Sequence, residues 1–409
     1  MNPTASPSAS GSRRVVVTGL GCVSTFGKGV APFWQALSQG QHGIRPLPAP
    51  KEGDLKITTG AWWADYDPAA HLDHNLILLA DRGSQFAILA AREALADAGL
   101  EKPPTNSAIV TGCCVGGKHA EDASYWDVYA EKKPRVHPLT IPRVMANSGA
   151  SLIAIQLGIT GPTFTTSTAC SSANHAVGQA FWMLRSGMVP MALAGGHESP
   201  FVFGLLKAWE AMRVVSPDLP RPFSAGRKGM SLGEGAGMLL LEDRDHALAR
   251  GARIYAEIAG FGMSADAHHI TQPLPEGAAL AMQRAMEDAG LAPAAIGYIN
   301  AHGTGTLAND PVETKAIRLA LGDSARQVSV SSTKSMHGHA LGAAGALEAI
   351  ATVLALHHGL LPPTANYENP DPECDLDVIP HAPRVASPAA ALSNSFAFGG
   401  LNAVVAFRR

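Results

Sequence analysis

Charged residues are scarce in this sequence. Asp, Glu, Lys and Arg together make up 16% of the 409 residues, whereas hydrophobic residues make up 46%. Such a chain has much apolar area to bury, which indicates a large core, an oligomer interface or both. The formal net charge of -3 provides no overall positive field, so no nucleic-acid partner is expected. An acidic partner would have to bind a local basic patch.

Long apolar runs and targeting signals are also lacking. No apolar run approaches the roughly 20 residues needed to cross a bilayer, so no membrane association is expected. The first residues, MNPTASPSASGSRR, are small and polar and contain no apolar segment of the signal-peptide kind. We therefore predict a cytoplasmic protein in which residues 1–12 form a disordered tail.

Cysteines are few, and their spacing fits neither a disulfide framework nor a metal knuckle. Their number is odd, and two of them are adjacent in the sequence. We expect reduced thiols, as is usual in a cytosol. The adjacent pair is interpreted as small buried residues at the end of a strand. The five cysteines are Cys22, Cys113, Cys114, Cys170 and Cys374.

A helix–loop–strand pattern occurs twice along the chain. Residues 92–100 (REALADAGL) precede an apolar strand at 108–111, and residues 284–291 (RAMEDAGL) precede one at 296–301. In both copies a glycine ends the helix, and a glycine-rich turn follows the strand. Because helix, cap, loop and strand agree in order, we predict an internal duplication.

The two copies lack a dividing linker rich in Pro, Gly or Ser, so they are expected to share one core. We place the join where a charged helix at 242–250 meets a new strand at 252–259. The prediction is an α/β protein with an N-terminal half over residues 13–250 and a C-terminal half over residues 251–409.

One cysteine lies where a strand pattern changes into a helix pattern. In residues 165–176 (TTSTACSSANHA), a β-prone threonine run leads into Cys170, and small helix-compatible residues follow. The N–H groups and macrodipole of a helix N-terminus favour a thiolate over a thiol. A reactive nucleophile and an inert buried cysteine are both compatible with this spacing. His175, five residues further along the helix, points away and is interpreted as structural.

Two histidines each follow an apolar strand beside glycine, where catalytic residues often lie. They are His302 in residues 298–306 (YINAHGTGT) and His339 in residues 331–339 (SSTKSMHGH). Metal binding is the competing interpretation, but it needs three or four ligands and no His-x-x-x-His or Cys-x-x-Cys pair supplies them. Thr304 and Thr306 are either turn residues or donors to an amide-bearing arm. Lys334 is either a solvated cation or a buried group that polarises a neighbour.

At these motifs the sequence resembles the β-ketoacyl-[acyl carrier protein] synthases of type II, within the thiolase superfamily of condensing enzymes. The resemblance covers residues 14–408 and implies a thiolase-like α/β fold whose duplicated halves form a layered αβαβα core. A Cys-His-His set is typical of the elongating synthases, because the initiating type has Asn in place of one histidine. The motifs, in the family's order, are residues 168–172 (TACSS), 300–306 (NAHGTGT), 334–339 (KSMHGH) and 394–400 (NSFAFGG).

Within the family, the sequence is most similar to the Nod-factor ketosynthases of the NodE type, which make unusual unsaturated acyl chains. The similarity is carried by residues 206–213, 221–229 and 363–367. Housekeeping synthases usually have Asp, Asp, Gly and Thr at four positions that differ here. These differences suggest a specialised chain, either polyunsaturated or polyketide-like. The four residues are Ser224, Lys228, Ala397 and Leu401.

The resemblance implies a decarboxylative Claisen condensation. Cys170 would carry an acyl chain, and malonyl-carrier protein would lose CO2 to give a carbanion that extends the chain by two carbons. His302 and His339 would hydrogen-bond the enolate oxygen, with Lys334 close to His339. The backbone N–H groups of Cys170 and Phe398 would form an oxyanion hole. Phe398, Gly399 and Gly400 would form a gate between acylation and condensation.

Further site roles follow from the same resemblance. Thr304 and Thr306 would contact the substrate arm, and Val115 would limit acyl length. The substrates would be carried on the phosphopantetheine of an acyl carrier protein, with no other cofactor. A structural monovalent cation is expected at three residues, Asn300, Glu348 and Asn394. Carrier-protein docking is expected at four others, with scattered surface charge as the alternative. These are Lys132, Lys133, Arg135 and Arg213.

Several alternatives stay open at the level of sequence. The expected assembly is a homodimer, but the chain could instead be the ketosynthase subunit of a heterodimer with a chain-length-factor-like partner. Such partners lack the nucleophile that Cys170 supplies. A biosynthetic thiolase would need a second cysteine in the motif at residues 394–400, which has none, and the only late cysteine is Cys374. A cysteine hydrolase would lack the paired histidines and Lys334.

Overall fold

The structure is a computed structural model and describes residues 13–50 and 52–409. The predicted tail over residues 1–12 therefore lies outside the described residues. Within the described part, the strands are β1 (Val15–Ser24), β2 (Gly27–Lys28), β3 (Ile44–Pro46), β4 (Thr59–Ala61), β5 (Ala108–Gly112), β6 (Thr163–Thr166), β7 (Met191–Glu198), β8 (Gly235–Asp243), β9 (Ala256–Ala265), β10 (Ile296–Asn300), β11 (Ser329–Ser331), β12 (Leu360–Leu361), β13 (Asp377–Val378), β14 (Arg384–Val385), β15 (Ala390–Ala397) and β16 (Leu401–Arg408).

The helices of the described residues alternate with these strands. They are α1 (Val30–Ser38), α2 (His74–Leu79), α3 (Arg82–Asp97), α4 (Lys118–Tyr129), α5 (Thr140–Val144), α6 (Ser148–Leu157), α7 (Ser172–Arg185), α8 (Phe203–Met212), α9 (Arg244–Ala249), α10 (Pro275–Ala289), α11 (Asn309–Leu321), α12 (Lys334–His337) and α13 (Ala344–His358). Short 3₁₀ turns add Pro68–Ala70, Pro293–Ala295, Gly322–Arg326, Leu341–Ala343 and Pro372–Cys374.

The two halves repeat one strand order. In the N-terminal half, the strands lie in the order β6-β5-β7-β8-β1, and in the C-terminal half, in the order β11-β10-β15-β16-β9. In each half, the first two pairings between neighbouring strands are parallel and the last two pairings are antiparallel. The first strand of each half, β1 or β9, is covered by the long helix α3 or α10. The internal duplication predicted from the sequence is therefore present in the topology.

The two half-sheets join through their first strands. Residues Val15, Val16 and Val17 of β1 pair antiparallel with Ile258, Glu257 and Ala256 of β9, so one continuous sheet runs through both halves. The shared sheet agrees with the prediction that no linker separates the halves.

Helices form the outer and middle layers. Helix α3 packs on β1 and β8, whereas α10 packs on β9 and β16. Helices α7 and α13 pack against each other and against strands of both half-sheets. The pair α7 and α13 therefore lies between the two half-sheets, and α3 and α10 cover their outer faces, which confirms the layered αβαβα architecture. A helix can be buried in this middle layer when it is apolar on two sides. The central core includes Ala176 and Phe181 of α7 and Leu347 and Val353 of α13.

The middle layer contains one apolar segment that the sequence analysis missed. Residues Leu341–His358 are long and apolar enough to cross a membrane, contrary to the expectation that no run approached that length. However, 89% of the segment is buried inside the protein, as expected for the core helix α13. Its burial between the two half-sheets accounts for its apolar composition.

The join between the halves differs from the prediction by a few residues. Glu242 belongs to β8 instead of the charged helix, because its buried side chain accepts hydrogen bonds from Arg250 and Thr18. Helix α9 begins after Asp243, whose side chain accepts from the N–H groups of Asp245 and His246. Strand β9 begins at Ala256 instead of Ala252.

Candidate active site

Cys170 lies in the turn between β6 and α7, as the strand-to-helix pattern predicted. The residue before it, Ala169, has a left-handed φ of 49°, which turns the chain sharply between the strand and the helix. Ser172 begins α7, and its hydroxyl bonds the Ala169 carbonyl and accepts from the Thr168 N–H. The tight turn places the thiol of Cys170 at the floor of a cleft of about 370 Å³.

The two predicted histidines line the same cleft as Cys170. His302 follows β10, and His339 follows α12. Their ring centroids are 5.3 Å apart and their planes are nearly perpendicular, at 86°. The Leu341 N–H donates to His339 Nδ1 over 3.2 Å, so the neutral His339 ring carries its proton on Nε2. Side chains from both halves thus meet at one cleft.

Burial sets the protonation of the two histidines. Burial, the Lys334 cation and the neighbouring His339 ring lower the pKa of His302 well below its usual value of 6.5. Burial, Lys334 and His337 act in the same direction on the pKa of His339. Both rings are therefore neutral at pH 7, where a neutral imidazole can donate one N–H to an oxygen.

Burial also sets the protonation of Cys170, against the expectation from its helix. It raises the pKa of the Cys170 thiol to about 11. The Lys334 cation and the N–H groups of Phe398 and Cys170 lower that pKa but do not offset the burial. The resting group is therefore a thiol, and the predicted thiolate at the helix N-terminus is corrected. The backbone N–H groups of Phe398 and Cys170 thus lie close to the sulfur, and their role as an oxyanion hole stays a prediction.

Lys334 is buried. Of the two interpretations of this residue, the solvated cation is therefore excluded and the buried group that polarises a neighbour remains. Its ammonium forms an ion pair with the Glu348 carboxylate of α13, which is also fully buried. Burial raises the pKa of Glu348, whereas the Lys334 ammonium opposes that rise. The pair places a positive charge close enough to lower the pKa values of Cys170, His302 and His339.

The residues predicted to hold a monovalent cation lie on adjoining elements. The Asn300 side chain donates to the Glu348 carbonyl over 3.3 Å, and the Asn394 side chain donates to Glu313 Oε1 over 3.3 Å. Asn394 Oδ1 and Glu348 Oε2 are buried without a hydrogen-bond partner. Such oxygens fit a hard cation. Among the described residues, no cluster of three or more His, Cys, Asp or Glu has the form of a metal site.

The segment predicted to be a gate passes beside the thiol. The Phe398 ring stacks against Trp209, with centroids 6.3 Å apart. Gly399 and Gly400 have φ angles of 83° and 68°, which favour glycine. A Cβ atom on Gly400 would come within 2.5 Å of the Asp266 Cβ, so a side chain there would force the loop apart.

Other predicted residues divide between the cleft and its surroundings. Thr304 and Thr306 line the cleft, and their hydroxyls are hydrogen-bonded at 2.9 Å. Val115 does not line it, but packs with Trp209 and Phe398 in a neighbouring apolar cluster. Trp209, Met230 and Phe398 belong both to that cluster and to the lining of the cleft, so the two regions adjoin.

Only one of the four predicted docking residues reaches the cleft. Arg213 lines its mouth, whereas Lys132, Lys133 and Arg135 follow α4 as exposed residues. Lys133 forms an ion pair with Asp127 over 2.7 Å. Part of the predicted basic patch is thus neutralised by the chain itself.

Two buried carboxylates in the site were missed by the sequence analysis. Glu313 accepts from the N–H groups of His302 (2.8 Å) and Gly303 (2.7 Å), and so fixes the histidine loop. Glu198 accepts from the N–H groups of Cys114 (2.8 Å) and Gly342 (3.2 Å). The sequence did contain a signal for Glu198, because this acid ends a strand of mainly small and apolar residues, MALAGGHE, where a buried carboxylate is unusual. For Glu313, on a helix after the histidine motif, the sequence carried no comparable signal.

A buried cysteine that shares a cleft with two neutral histidines, in a duplicated αβαβα fold, defines a condensing enzyme of the thiolase-like class. Comparison with protein families supports a narrower assignment. The model "Beta-ketoacyl synthase, N-terminal domain" matches residues 12–247, and "Beta-ketoacyl synthase, C-terminal domain" matches residues 255–368. The chain belongs to the β-ketoacyl synthase family.

Individual relatives extend over almost the whole chain. Nodulation protein E of a Rhizobium species is 46% identical, with 97% of this chain and 99% of the relative covered. The 3-oxoacyl-[acyl-carrier-protein] synthase 2 of Synechocystis sp. is 42% identical, with 97% and 98% covered. The predicted likeness to type II synthases and to the NodE type is confirmed. The chain is a ketosynthase, a condensing enzyme of the acyltransferase class.

Solved structures agree with this assignment. The ishigamide ketosynthase/chain length factor superposes with a TM-score of 0.93 at 37% identity, covering 97% of this chain and 99% of that one. A type II PKS acyl-carrier protein in complex with its ketosynthase, bound to the hexaketide, gives a TM-score of 0.88 at 32% identity with the same coverage. The predicted thiolase-like fold is confirmed.

Proposed function

We propose that this chain is a β-ketoacyl-[acyl carrier protein] synthase in which Cys170 carries the growing acyl chain and His302 and His339 activate malonyl-carrier protein. The observation that carries the proposal is the convergence of these three side chains in one cleft. They come from three separate segments and from both halves of the fold.

The first half-reaction loads Cys170. Its sulfur attacks the carbonyl carbon of an acyl thioester, and a new C–S bond replaces the one to the carrier's pantetheine sulfur. The departing pantetheine takes up the proton that Cys170 loses. The N–H groups of Cys170 and Phe398 stabilise the negative oxygen of the tetrahedral intermediate. Because burial raises the pKa of the Cys170 thiol to about 11, the sulfur loses its proton as the new C–S bond forms.

The second half-reaction breaks a C–C bond in the malonyl group. Loss of CO2 leaves two electrons on the α-carbon, and the charge spreads onto the thioester oxygen as an enolate. His339 Nε2–H and an N–H of His302 donate to that oxygen. The α-carbon then attacks the acyl carbonyl on Cys170, a C–C bond forms and the C–S bond breaks. The Cys170 thiolate is released and takes a proton from solvent.

Lys334 and its surroundings support this chemistry without entering it. The Lys334–Glu348 ion pair holds a positive charge near the histidines, and burial together with that charge lowers the pKa values of both rings. A monovalent cation at Asn300, Glu348 and Asn394 would add a fixed charge that orders the same strand ends. The unpartnered oxygens of Glu348 and Asn394 support this assignment.

An acyl carrier protein supplies both substrates in this proposal, on its phosphopantetheine arm. The similarity to a ketosynthase solved with its acyl-carrier protein supports this partner. Thr304 and Thr306 are positioned along the cleft to contact the arm. Exposed Lys132, Lys133 and Arg135 supply positive charge outside the cleft, and Arg213 supplies it at the mouth. The cytoplasm is the compartment in which such carriers and reduced cysteines would be found.

The assembly that we propose is a homodimer. Strand β6 ends the main sheet, and its residues Thr163–Thr166 are each partly exposed, so a second copy can pair with them. Similarity to a ketosynthase/chain length factor makes a heterodimer the second candidate. The cleft of this chain contains its own cysteine and both histidines, which assigns it the ketosynthase role in either assembly.

The substrate class that we propose is a specialised acyl chain, on the basis of the similarity to Nodulation protein E. Phe398 packs against an apolar cluster that contains Val115, Leu206, Trp209 and Leu341. Such a cluster suits an extended hydrocarbon chain.

Intact mass spectrometry of the purified protein, mixed with acyl-carrier proteins of several chain lengths, tests the proposal. We expect a covalent adduct of the acyl mass and, after malonyl-carrier protein is added, a 3-oxoacyl product two carbons longer. The chain that loads fastest identifies the substrate class. If no carrier loads the protein, alone or with a related subunit, the synthase proposal is refuted.

The gate role leads to a prediction for Phe398→Ala. The backbone N–H that acts on Cys170 is kept, but the ring that stacks against Trp209 in the lining of the cleft is lost. We expect decarboxylation of malonyl-carrier protein before the acyl group is loaded, so initial-rate kinetics should lose their fixed order of substrate addition. Phe398→Tyr, which keeps a ring, is the control. An unchanged order in Phe398→Ala would contradict the gate.

Chain length leads to a prediction for Val115→Phe. The larger ring would fill space in the apolar cluster beside Trp209 and Phe398. We expect kcat/KM for the longest accepted acyl chain to fall by about tenfold or more, with little change for the shortest chain. This selectivity is measured as acylation rates over a series of acyl-carrier proteins with different chain lengths. Val115→Ala is the control, because the smaller side chain should favour longer chains. Identical selectivity in wild type and Val115→Phe would show that Val115 does not limit the chain.

A further inference from the structure

We propose that Lys228 and Arg213 form an anion subsite at the mouth of the cleft, and that it binds the phosphodiester of the carrier's phosphopantetheine arm. This inference rests on the proposed function, because it assumes that the arm enters this cleft. It adds a recognition residue, Lys228, and assigns to Arg213 a contact with the arm in place of the protein surface of the carrier.

The exposure of the lining residues gives the cleft a direction. Cys170, His302 and His339 are buried, which places the reacting atoms at the floor. Arg213, Lys228 and Leu307 line the same cleft but are exposed, so they form its rim. A thioester bound at the floor therefore leaves the far end of its arm among the rim residues.

The charges along the cleft are of one sign. Among the described residues that line it, Arg213 and Lys228 are the ones with a permanent positive charge, and none is Asp or Glu. Both cations belong to the rim, whereas the walls between rim and floor are mostly apolar or hydroxyl-bearing. An extended ligand with an anion at its outer end and a neutral inner part matches this distribution.

Backbone hydrogen bonds hold the two cations on neighbouring segments. The Met230 N–H donates to the Val214 carbonyl over 2.9 Å, and the Ser216 N–H donates to the Met230 carbonyl over 2.7 Å. The segments after Arg213 and after Lys228 are therefore directly paired. The two side chains thus belong to one surface and not to two separate loops.

Lys228 is also tied to the loop that contains Thr304 and Thr306. Next to it, the Gly229 N–H donates to the Gly305 carbonyl over 2.9 Å. On the other side, Arg227 Nε donates to the Thr306 carbonyl over 3.2 Å, and its guanidinium forms a buried ion pair with Asp371. These contacts fix the position of Lys228 relative to the two threonines. The rim cation is therefore set at a constant place relative to the predicted arm contacts.

The Lys228 ammonium is available for a ligand. Its nearest acid, Asp218, has Oδ2 3.8 Å away, which is beyond hydrogen-bond distance, whereas Asp218 Oδ1 accepts from Arg221 Nη1 at 2.9 Å and from the Ser216 hydroxyl at 2.8 Å. The Lys228 side chain is 58% exposed. A phosphodiester, with one negative charge and two free oxygens, can accept from the ammonium and from the Arg213 guanidinium together.

Two small substrates that differ by one phosphate test the subsite. The acyl group that loads wild type fastest is attached either to pantetheine or to 4′-phosphopantetheine, and acylation of Cys170 is followed by intact mass. For Lys228→Ala, we expect kcat/KM with the phosphorylated substrate to fall about three- to tenfold, because KM rises while kcat is unchanged. The kcat/KM with acyl-pantetheine should stay within about twofold of the wild-type value. Lys228→Glu should give a larger loss. Lys315→Ala, an exposed lysine outside the cleft, is the control.

The outcomes separate the sources of the effect. Equal losses with both small substrates would mean that Lys228 acts through the loop, and would overturn the subsite. A loss with the intact carrier protein alone would assign Lys228 to an acidic surface of the carrier, and would also overturn it. Failure of the proposed function itself would appear earlier, as absence of any acyl adduct on the wild-type protein.

Discussion

Replacing Cys170 with alanine should abolish acyl transfer. Without the sulfur there is no covalent intermediate, and we expect condensation to fall by a factor on the order of 10⁴ or more. Intact mass after incubation with acyl-carrier protein should show no adduct on Cys170→Ala. The variant is expected to fold, because alanine is smaller and the turn at Ala169 and Ser172 does not depend on the thiol.

The same variant should keep a different activity. His302, His339 and Lys334 do not depend on the sulfur for their positions, so Cys170→Ala should still release CO2 from malonyl-carrier protein. Cys114→Ala is the matched control, because Cys114 is also a free cysteine and lies close enough to Cys170 for that residue to contribute to the raised pKa of Cys114. Acylation of Cys170→Ala, or loss of the adduct in Cys114→Ala alone, would assign the nucleophile to another residue.

The second large effect concerns the histidine pair. His302→Ala or His339→Ala removes one of two donors to the enolate oxygen, and each should lower malonyl decarboxylation by a factor on the order of 10²–10³. Acylation of Cys170 should fall much less, because the oxyanion donors there are backbone N–H groups. The two half-reactions are measured separately, by CO2 release and by intact mass, with the exposed His74→Ala as the control. An equal loss in both half-reactions would contradict the assigned role.

The pH dependence of wild type provides a second check on the pair. Because the pKa values of His302 and His339 are well below 6.5, neither ring should take up a proton between pH 8 and pH 6. The decarboxylation rate should therefore show no step with an apparent pKa near 6.5. In the unfolded chain these histidines do bind protons below about pH 6.5, so stability should decrease as pH falls below that value.

The sequence by itself determined the family and the duplicated topology, and it singled out the three side chains that the structure brings together in one cleft. Strand and helix patterns repeat locally, so the helix–loop–strand copies before β5 and β10 could be read from periodicity and glycine caps. The turn at Cys170 followed from a threonine run that meets small residues. His302 and His339 are next to glycines at the ends of two motifs, which made them candidates, and the resemblance to the family supplied their predicted roles.

Only the tertiary structure decided how the environment acts on these residues. Burial depends on segments far apart in sequence, so the thiol state of Cys170 could not be derived from its helix. Distant contacts likewise pair Lys334 with Glu348 and pack Val115 into one apolar cluster with Phe398. They also join the segment after Lys228 to the segment after Arg213 and to the loop that contains Thr306. Local sequence fixes hydrogen-bonded turns and periodic faces, whereas desolvation and charge at the site are set by which distant segments pack together.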